Sequence, residues 1–141
     1  MLMWNLRKDI IKIISSNNLG SQVLTNEEAA HFYSLVFEKF AKFEKYQYPL
    51  WENLKDTVSV EDKDGWQKID RILGKEEVLL FFEYKDDSSM FKFSNPEDVK
   101  TVLGNMHAFV FYVTNVNVDY LLCFNDHDYL IWTGNSFPEF L

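Results

Sequence analysis

Between two apolar runs near the end of the chain stand four polar residues in a row, Asn125-Asp126-His127-Asp128. Two carboxylates and an imidazole are groups from which cation sites and acid–base pairs are assembled, so this is the first place to look for chemistry. Structural metal sites that can be read from sequence space their ligands apart, and nothing here supplies a second His or Cys pair. Asn and Asp also favour tight turns, because they tolerate left-handed backbone angles and hydrogen-bond to their own main chain. The expectation is a turn that can meet a partner, with no metal and no cofactor.

The remaining reactive side chains form no recognisable machinery. His31 falls inside a helical pattern and His107 between a helix end and a strand, so the histidines lack ligand spacing. The single cysteine, Cys123, lies within an apolar strand with no activating motif around it, where a thiol behaves as a small buried hydrophobe. It cannot form an internal disulfide, which suits a reducing cytoplasm. Ser15-Ser16 and Ser88-Ser89 lack the glycine-framed elbow that exposes an attacking serine. Five scattered glycines build neither a P-loop nor a dinucleotide fingerprint. The chain is expected not to be an enzyme.

Charge narrows the class of partner. The formal net charge is −8, and the acidic excess belongs to the second half. After Lys100 there is no lysine or arginine, while Asp119, Asp126, Asp128 and Glu139 all follow it. Acidic surfaces repel phosphate backbones, which excludes nucleic acid as the expected ligand. Charge complementarity favours a basic protein instead, since it speeds encounter and selects partners. The alternative for the acidic groups at element ends, Glu76-Glu77, Asp86-Asp87, Glu97-Asp98 and Asp126 with Asp128, is a solvated rim.

The start, MLMWNLRKDIIKIISS, lacks the long uncharged core and small-residue cleavage site of a secretory signal, and no stretch approaches a membrane span. A cytoplasmic protein with no membrane partner, monomeric or weakly dimeric, is expected. At 141 residues with 47% hydrophobic content the chain suits one domain, residues 1–141, with a substantial core.

The elements that would position the polar cluster follow from periodicity. Leu6, Ile10, Ile13 and Ile14 recur at helical spacing within residues 3–16, and Asn17, Asn18 and Gly20 supply the stop. A long second helix should begin at Thr25 or Asn26, with Glu27 and Glu28 in its first turn. Ala29, Phe32, Val36, Phe40 and Phe43 make its apolar stripe, widened by Tyr33 and Phe37, until Tyr48-Pro49 breaks the run. Such a stripe is read as core. Residues 57–60 alternate like a brief edge strand, and Trp66, Ile69, Ile72 and Leu73 make a short third helix ended by Gly74.

Strand signals then dominate: a hairpin from Val78 to Tyr84 and Met90 to Phe93, and three closing strands over about 108–114, 118–125 and 129–133. Between hairpin and finish, Asn95-Pro96-Glu97-Asp98 opens a fourth helix that stops near Gly104. Helices gathered before strands predict an α+β domain: N-terminal helices on a mostly antiparallel sheet of about five strands. Val110 and Tyr112 oppose Phe109, Phe111 and Val113, so the central strands should be covered on both faces.

The closing element, Tyr120-Leu121-Leu122-Cys123-Phe124-Asn125-Asp126-His127-Asp128 followed by Leu130-Ile131 and Gly134, resembles the terminal hairpin of small bacterial proteins, some of which accompany polymorphic toxins as immunity proteins. The order of leading helices, a Trp-containing helix, an aromatic hairpin and a three-strand finish is similar to the immunity-like families, including the broad SUKH group. The resemblance covers about a third of the chain. It implies an inhibitor rather than an enzyme, and it carries over only the Asp126 to Asp128 turn.

The leading expectation is thus a cytosolic immunity or antitoxin-like protein that binds a basic toxin domain, such as a nuclease, and blocks it by occlusion. Tight interfaces concentrate their energy in a few aromatic or charged anchors, which makes Asp119, Asp126, His127, Asp128, Tyr129 and Trp132 the expected contact residues. The alternatives are a small ligand-binding domain or enzyme with a pocket between the aromatic helix and the sheet, and a structural or phage-derived interaction protein.

Overall fold

The computed structural model describes residues 5–106 and 110–135. Each main helix starts where a side chain caps its free amides. α1 (Leu6–Ser16) opens on Asn5, whose Oδ1 accepts from the Lys8 amide at 3.0 Å. α2 (Asn26–Phe40) opens on a reciprocal capping box. The Glu28 amide donates to Thr25 Oγ1 at 3.1 Å, and the Thr25 amide donates to Glu28 Oε1 at 2.9 Å. Gly65–Lys68 is a 3-10 turn that runs into α3 (Ile69–Leu73), which stops at Gly74 with φ of 73°. α4 (Pro96–Gly104) combines the Asn95 cap with a first-turn proline.

The α2 stripe is shorter than its periodicity predicts. The helix ends at Phe40, and Phe43 lies beyond it in left-handed backbone (φ 60°), 81% exposed. Ala29, Tyr33, Val36 and Phe40 are the residues it buries. Residues 41–53 instead form an irregular segment with two 3-10 turns, Lys42–Glu44 and Leu50–Asn53.

Seven strands, among the described residues, make one antiparallel sheet: β1 (Ser21–Val23), β2 (Val58–Glu61), β3 (Val78–Phe81), β4 (Met90–Phe93), β5 (Phe111–Asn115), β6 (Tyr120–Phe124) and β7 (Tyr129–Gly134). Their order is β1-β4-β3-β5-β6-β7-β2. The five central strands are those of the sequence reading. The further two, β1 and β2, are the edges, and β2 is the alternating stretch noted at 57–60. The start expected for β5, at residue 108, lies outside the described residues, as do His107 and residues 3 and 4 of the first helix.

The central strands are buried on both faces because the helices divide between them. Val78, Leu80, Phe111, Val113 and Leu122 pack with Leu6 and Ile10 of α1, with α3 and with α4. Leu79, Phe81, Tyr112, Leu121 and Ile131 pack with α2 and with Leu50 and Leu54. The two N-terminal helices therefore lie on opposite faces of the sheet. The register Phe111↔Phe124, Phe124↔Leu130 and Glu61↔Tyr129 brings the 125–128 turn level with the start of β5 and the end of β2. Phe81↔Tyr112 adds the end of β3 and the 82–89 loop to the same end of the sheet.

Candidate functional site

Asn125 builds the turn that the sequence analysis singled out. It is 3% exposed, and its Oδ1 accepts from the amides of His127 and Tyr129, both at 3.0 Å. Asp128 takes the left-handed backbone at φ 64°, and its carbonyl accepts from the Asp62 amide at 2.8 Å, tying the turn to the loop after β2. With the main chain satisfied by Asn125, the side chains of Asp126 and His127 are left to solvent, 64% and 67% exposed, with His127 Nε2 3.8 Å from Asp126 Oδ1. Tyr129 is also exposed.

Two of the expected contact residues do not belong to this group. Trp132 is 5% exposed; its ring stacks on Tyr120 at 4.6 Å and its Nε1 donates to the Asn135 carbonyl at 2.9 Å. It is core, because the alternation of β7 turns it inward with Leu130. Asp119 lies in the β5–β6 turn, at the opposite end of the sheet. There its carboxylate accepts from Asn115 Nδ2 at 2.9 Å. The strand β6 separates it from Asp126, some 16 Å at about 3.3 Å per residue. Asp126, His127, Asp128 and Tyr129 are thus brought together; Trp132 and Asp119 are not.

On one side of the turn opens a cleft of about 190 Å³ whose walls include Tyr48, Trp51, Glu83, Asp86, Asp126 and His127. The Trp51 and His127 rings meet edge-on at 5.8 Å. On the other side lies a cleft of about 310 Å³, more apolar, walled by Trp66, Leu103, Phe111 and Phe124 with Asp126, Asp128 and Lys63 at its edge. Asp126 borders both. Neither of these two clefts is walled by α2, whose buried residues are Ala29, Tyr33, Val36 and Phe40.

Glu83 is the residue the sequence analysis passed over. It follows β3 and is 3% exposed, a carboxylate among apolar neighbours. Tyr46 Oη donates to it at 2.7 Å, Tyr112 Oη donates to Oε2, and the Leu50 amide donates at 3.0 Å. Tyr112 Oη in turn accepts from the Trp51 amide at 3.0 Å. Burial pushes the Tyr112 phenol well above its usual range, reinforced by the charge of Glu83. These bonds fix the irregular 46–51 segment to the sheet and so set the wall of the smaller cleft that carries Tyr48 and Trp51. The signal was present in the run Val78-Leu79-Leu80-Phe81-Phe82-Glu83, where a lone acid closes a series of apolar residues.

The charge at this end is mostly acidic, with Lys63 at the edge of the larger cleft and two further lysines engaged in contacts of their own. Lys68 is paired with Asp62, whose carboxyl is held below its ordinary value by that hydrogen bond, and Lys85 Nζ sits 4.3 Å from the centre of the Tyr48 ring. Cys123 is fully buried, and burial pushes its thiol well up. Among the described residues no group of three His, Cys, Asp or Glu side chains is placed to hold a metal ion. No described helix is long and apolar enough to cross a membrane. No family model matches the chain, and no curated protein or solved structure does so either.

Proposed function

We propose that this chain is a cytoplasmic immunity or antitoxin-like protein, an inhibitor rather than an enzyme, that receives a basic protein at the sheet end built around Asp126, His127, Asp128 and Tyr129. The single observation that supports the reading most is convergence. Acids from separate loops, Asp62 and Asp64, Glu83 and Asp86, and Asp126 and Asp128, gather at one end of the sheet beside exposed tyrosines and two clefts. A predominantly acidic field set among apolar walls steers an oppositely charged partner and gives it desolvated contacts on arrival. Occlusion needs nothing more of the inhibitor than a rigid surface that fits the toxin domain. Rigidity is what the buried Asn125 and Glu83 networks supply.

The test is affinity capture at low salt with the intact chain, in parallel with an Asp126→Lys/Asp128→Asn chain, beginning with the product of the gene immediately upstream. The expected result is a protein of isoelectric point above about 9 retained by the first and lost from the second. If the folded chain retains no basic protein, or the double variant retains it equally, the reading fails.

A further inference from the structure

The smaller cleft combines two features that an acidic surface need not have. Its walls set the rings of Tyr48 and Trp51 against the carboxylates of Glu83, Asp86 and Asp126, and none of its described lining residues is a lysine or arginine. At about 190 Å³ it falls below the roughly 300 Å³ at which small-molecule sites begin, so it is sized for one side chain rather than a metabolite. Glu83 is occupied by Tyr46, Tyr112 and Leu50 and contributes its charge rather than a free lone pair. Asp86 and Asp126 remain: among the described residues the Asp86 carboxylate makes no hydrogen bond or ion pair, and Asp126 has only His127, at 3.8 Å.

An independent observation points to the charge of the occupant. Lys85 Nζ already lies over the Tyr48 ring at 4.3 Å, so the rim of this cleft draws an ammonium from the chain itself. The geometry points to the cleft as the receptor for one arginine side chain of the basic partner, an inference that rests on the function proposed above. A guanidinium is the better fit than a second ammonium, because it is planar, stacks on an aromatic face and donates to two carboxylates at once. Lys85 stands at the Tyr48 rim, where a lysine would compete, while Trp51, Asp86 and Asp126 line the same cleft with an aromatic face and two carboxylates for a flat cation.

Titration of the full chain with N-acetyl-arginine amide, followed by NMR at the Trp51 indole N–H, tests this directly. A Trp51→Phe chain assigns the signal, and N-acetyl-norleucine amide is the uncharged control. A saturable shift with the arginine probe, absent with the control and weakened at least about tenfold by Asp86→Asn/Asp126→Asn, is the expected result. Both aspartates are exposed and the changes are isosteric, so the spectrum itself reports that the variant is folded. A Glu76→Gln chain, altered at the other end of the sheet, should bind as well as the unaltered protein. No saturable shift, or one that the double variant leaves intact, overturns the inference. The titration needs no partner protein, so its failure is separate from failure of the capture experiment.

Discussion

The two turns of the β5-β6-β7 meander use the same chemistry to opposite ends. Each begins with a buried asparagine that hydrogen-bonds forward: Asn115 Oδ1 accepts from the Asp119 amide at 2.9 Å, and Asn125 Oδ1 from those of His127 and Tyr129. Each places one non-glycine residue in left-handed backbone, Val118 at φ 52° and Asp128 at 64°. Val118 is fully buried, although a β-branched side chain resists that conformation, and Lys39 Nζ clamps its carbonyl at 2.9 Å. The strand end beside it is closed by Gly134 (φ 119°), where an added Cβ would come within 2.5 Å of the Asp119 carbonyl oxygen. The Asp119 end is therefore tied into the molecule. At the Asp126 end only the asparagine is buried, and the charges that follow it face outward between two clefts. A turn that holds the fold together and a turn that can be seen by a partner differ in what surrounds the same local motif.

The largest expected difference between the two ends lies in their glutamates. Glu83→Ala leaves three donors without an acceptor, two of them buried, on Tyr112 and Leu50, and one partly buried, on Tyr46. At about 1–3 kcal/mol for each orphaned group, and with incomplete additivity, a loss of about 3–5 kcal/mol in urea unfolding is expected. Glu76, exposed at the other end, accepts from Tyr120 Oη at 3.2 Å. Glu76→Ala should change stability by less than about 1 kcal/mol. Equal losses would show that the Asp126 end is no more firmly scaffolded than its opposite.

Asn115→Ala and Asn125→Ala sharpen the comparison at the turns themselves. Each leaves partly buried amides without their acceptor, and each should cost about 1–3 kcal/mol. Their effects on function should part company. With the captured partner in hand, only Asn125→Ala should weaken its binding, because only that turn presents Asp126 and His127. Calorimetric titration of both variants at a temperature where both remain folded distinguishes the cases.

Much of this contrast was legible in the residues and some of it was not. The helix caps, the Gly74 stop, the hairpin and the closing strands follow from local signals that the folded chain keeps. β1 was invisible because Ser21-Gln22-Val23 is too short to show alternation and pairs with residues some 70 positions away. Phe43 misled because helical spacing continues past Ala41, where the backbone leaves the helix. Asp126 and Asp128 were found because acids between apolar runs are conspicuous, yet nothing local told that Asp119, only a few residues earlier, points from the opposite end. That fact belongs to strand length. Trp132 was chosen as an aromatic near the turn, but its side was decided by its pairing across β7 with Leu122 and Val58. Glu83 joined the site through contacts 29 to 37 residues away, beyond any motif.

Alkaline titration probes the two ends by another route. Burial raises the phenols of Tyr33, Tyr112 and Tyr120 far above their usual 10.0. A group with a raised folded pKa contributes its stability fully below the unfolded value and loses it as pH rises, because above pH 10 the unfolded chain gives up protons that the folded chain keeps. Stability should thus fall steeply above pH 10, by about 1.4 kcal/mol per pH unit for each such tyrosine. Tyr120→Phe should remove one such increment while leaving the Asp126 end and its partner binding intact. An alkaline limb unchanged by that substitution would show that the tyrosine at the Asp119 end is not held protonated by the fold.

The smallest effect on stability should accompany the largest on recognition. Asp126→Asn/Asp128→Asn keeps the turn, since asparagine tolerates the left-handed backbone of residue 128 as readily as aspartate does. Both side chains face solvent, so unfolding should shift by no more than about 0.5 kcal/mol. Charges at the edge of a contact act chiefly on the approach of the partner, which makes the association rate and its salt dependence the quantities to measure. The double variant should bind the captured protein more slowly at low salt and flatten the dependence of that rate on ionic strength. Asp119→Asn, with equal loss of formal charge per substitution but at the tied end of the sheet, should leave both nearly unchanged. If Asp119→Asn slows association as much per charge as the double variant does, net charge alone governs encounter, and the two ends of the sheet are equivalent to the partner.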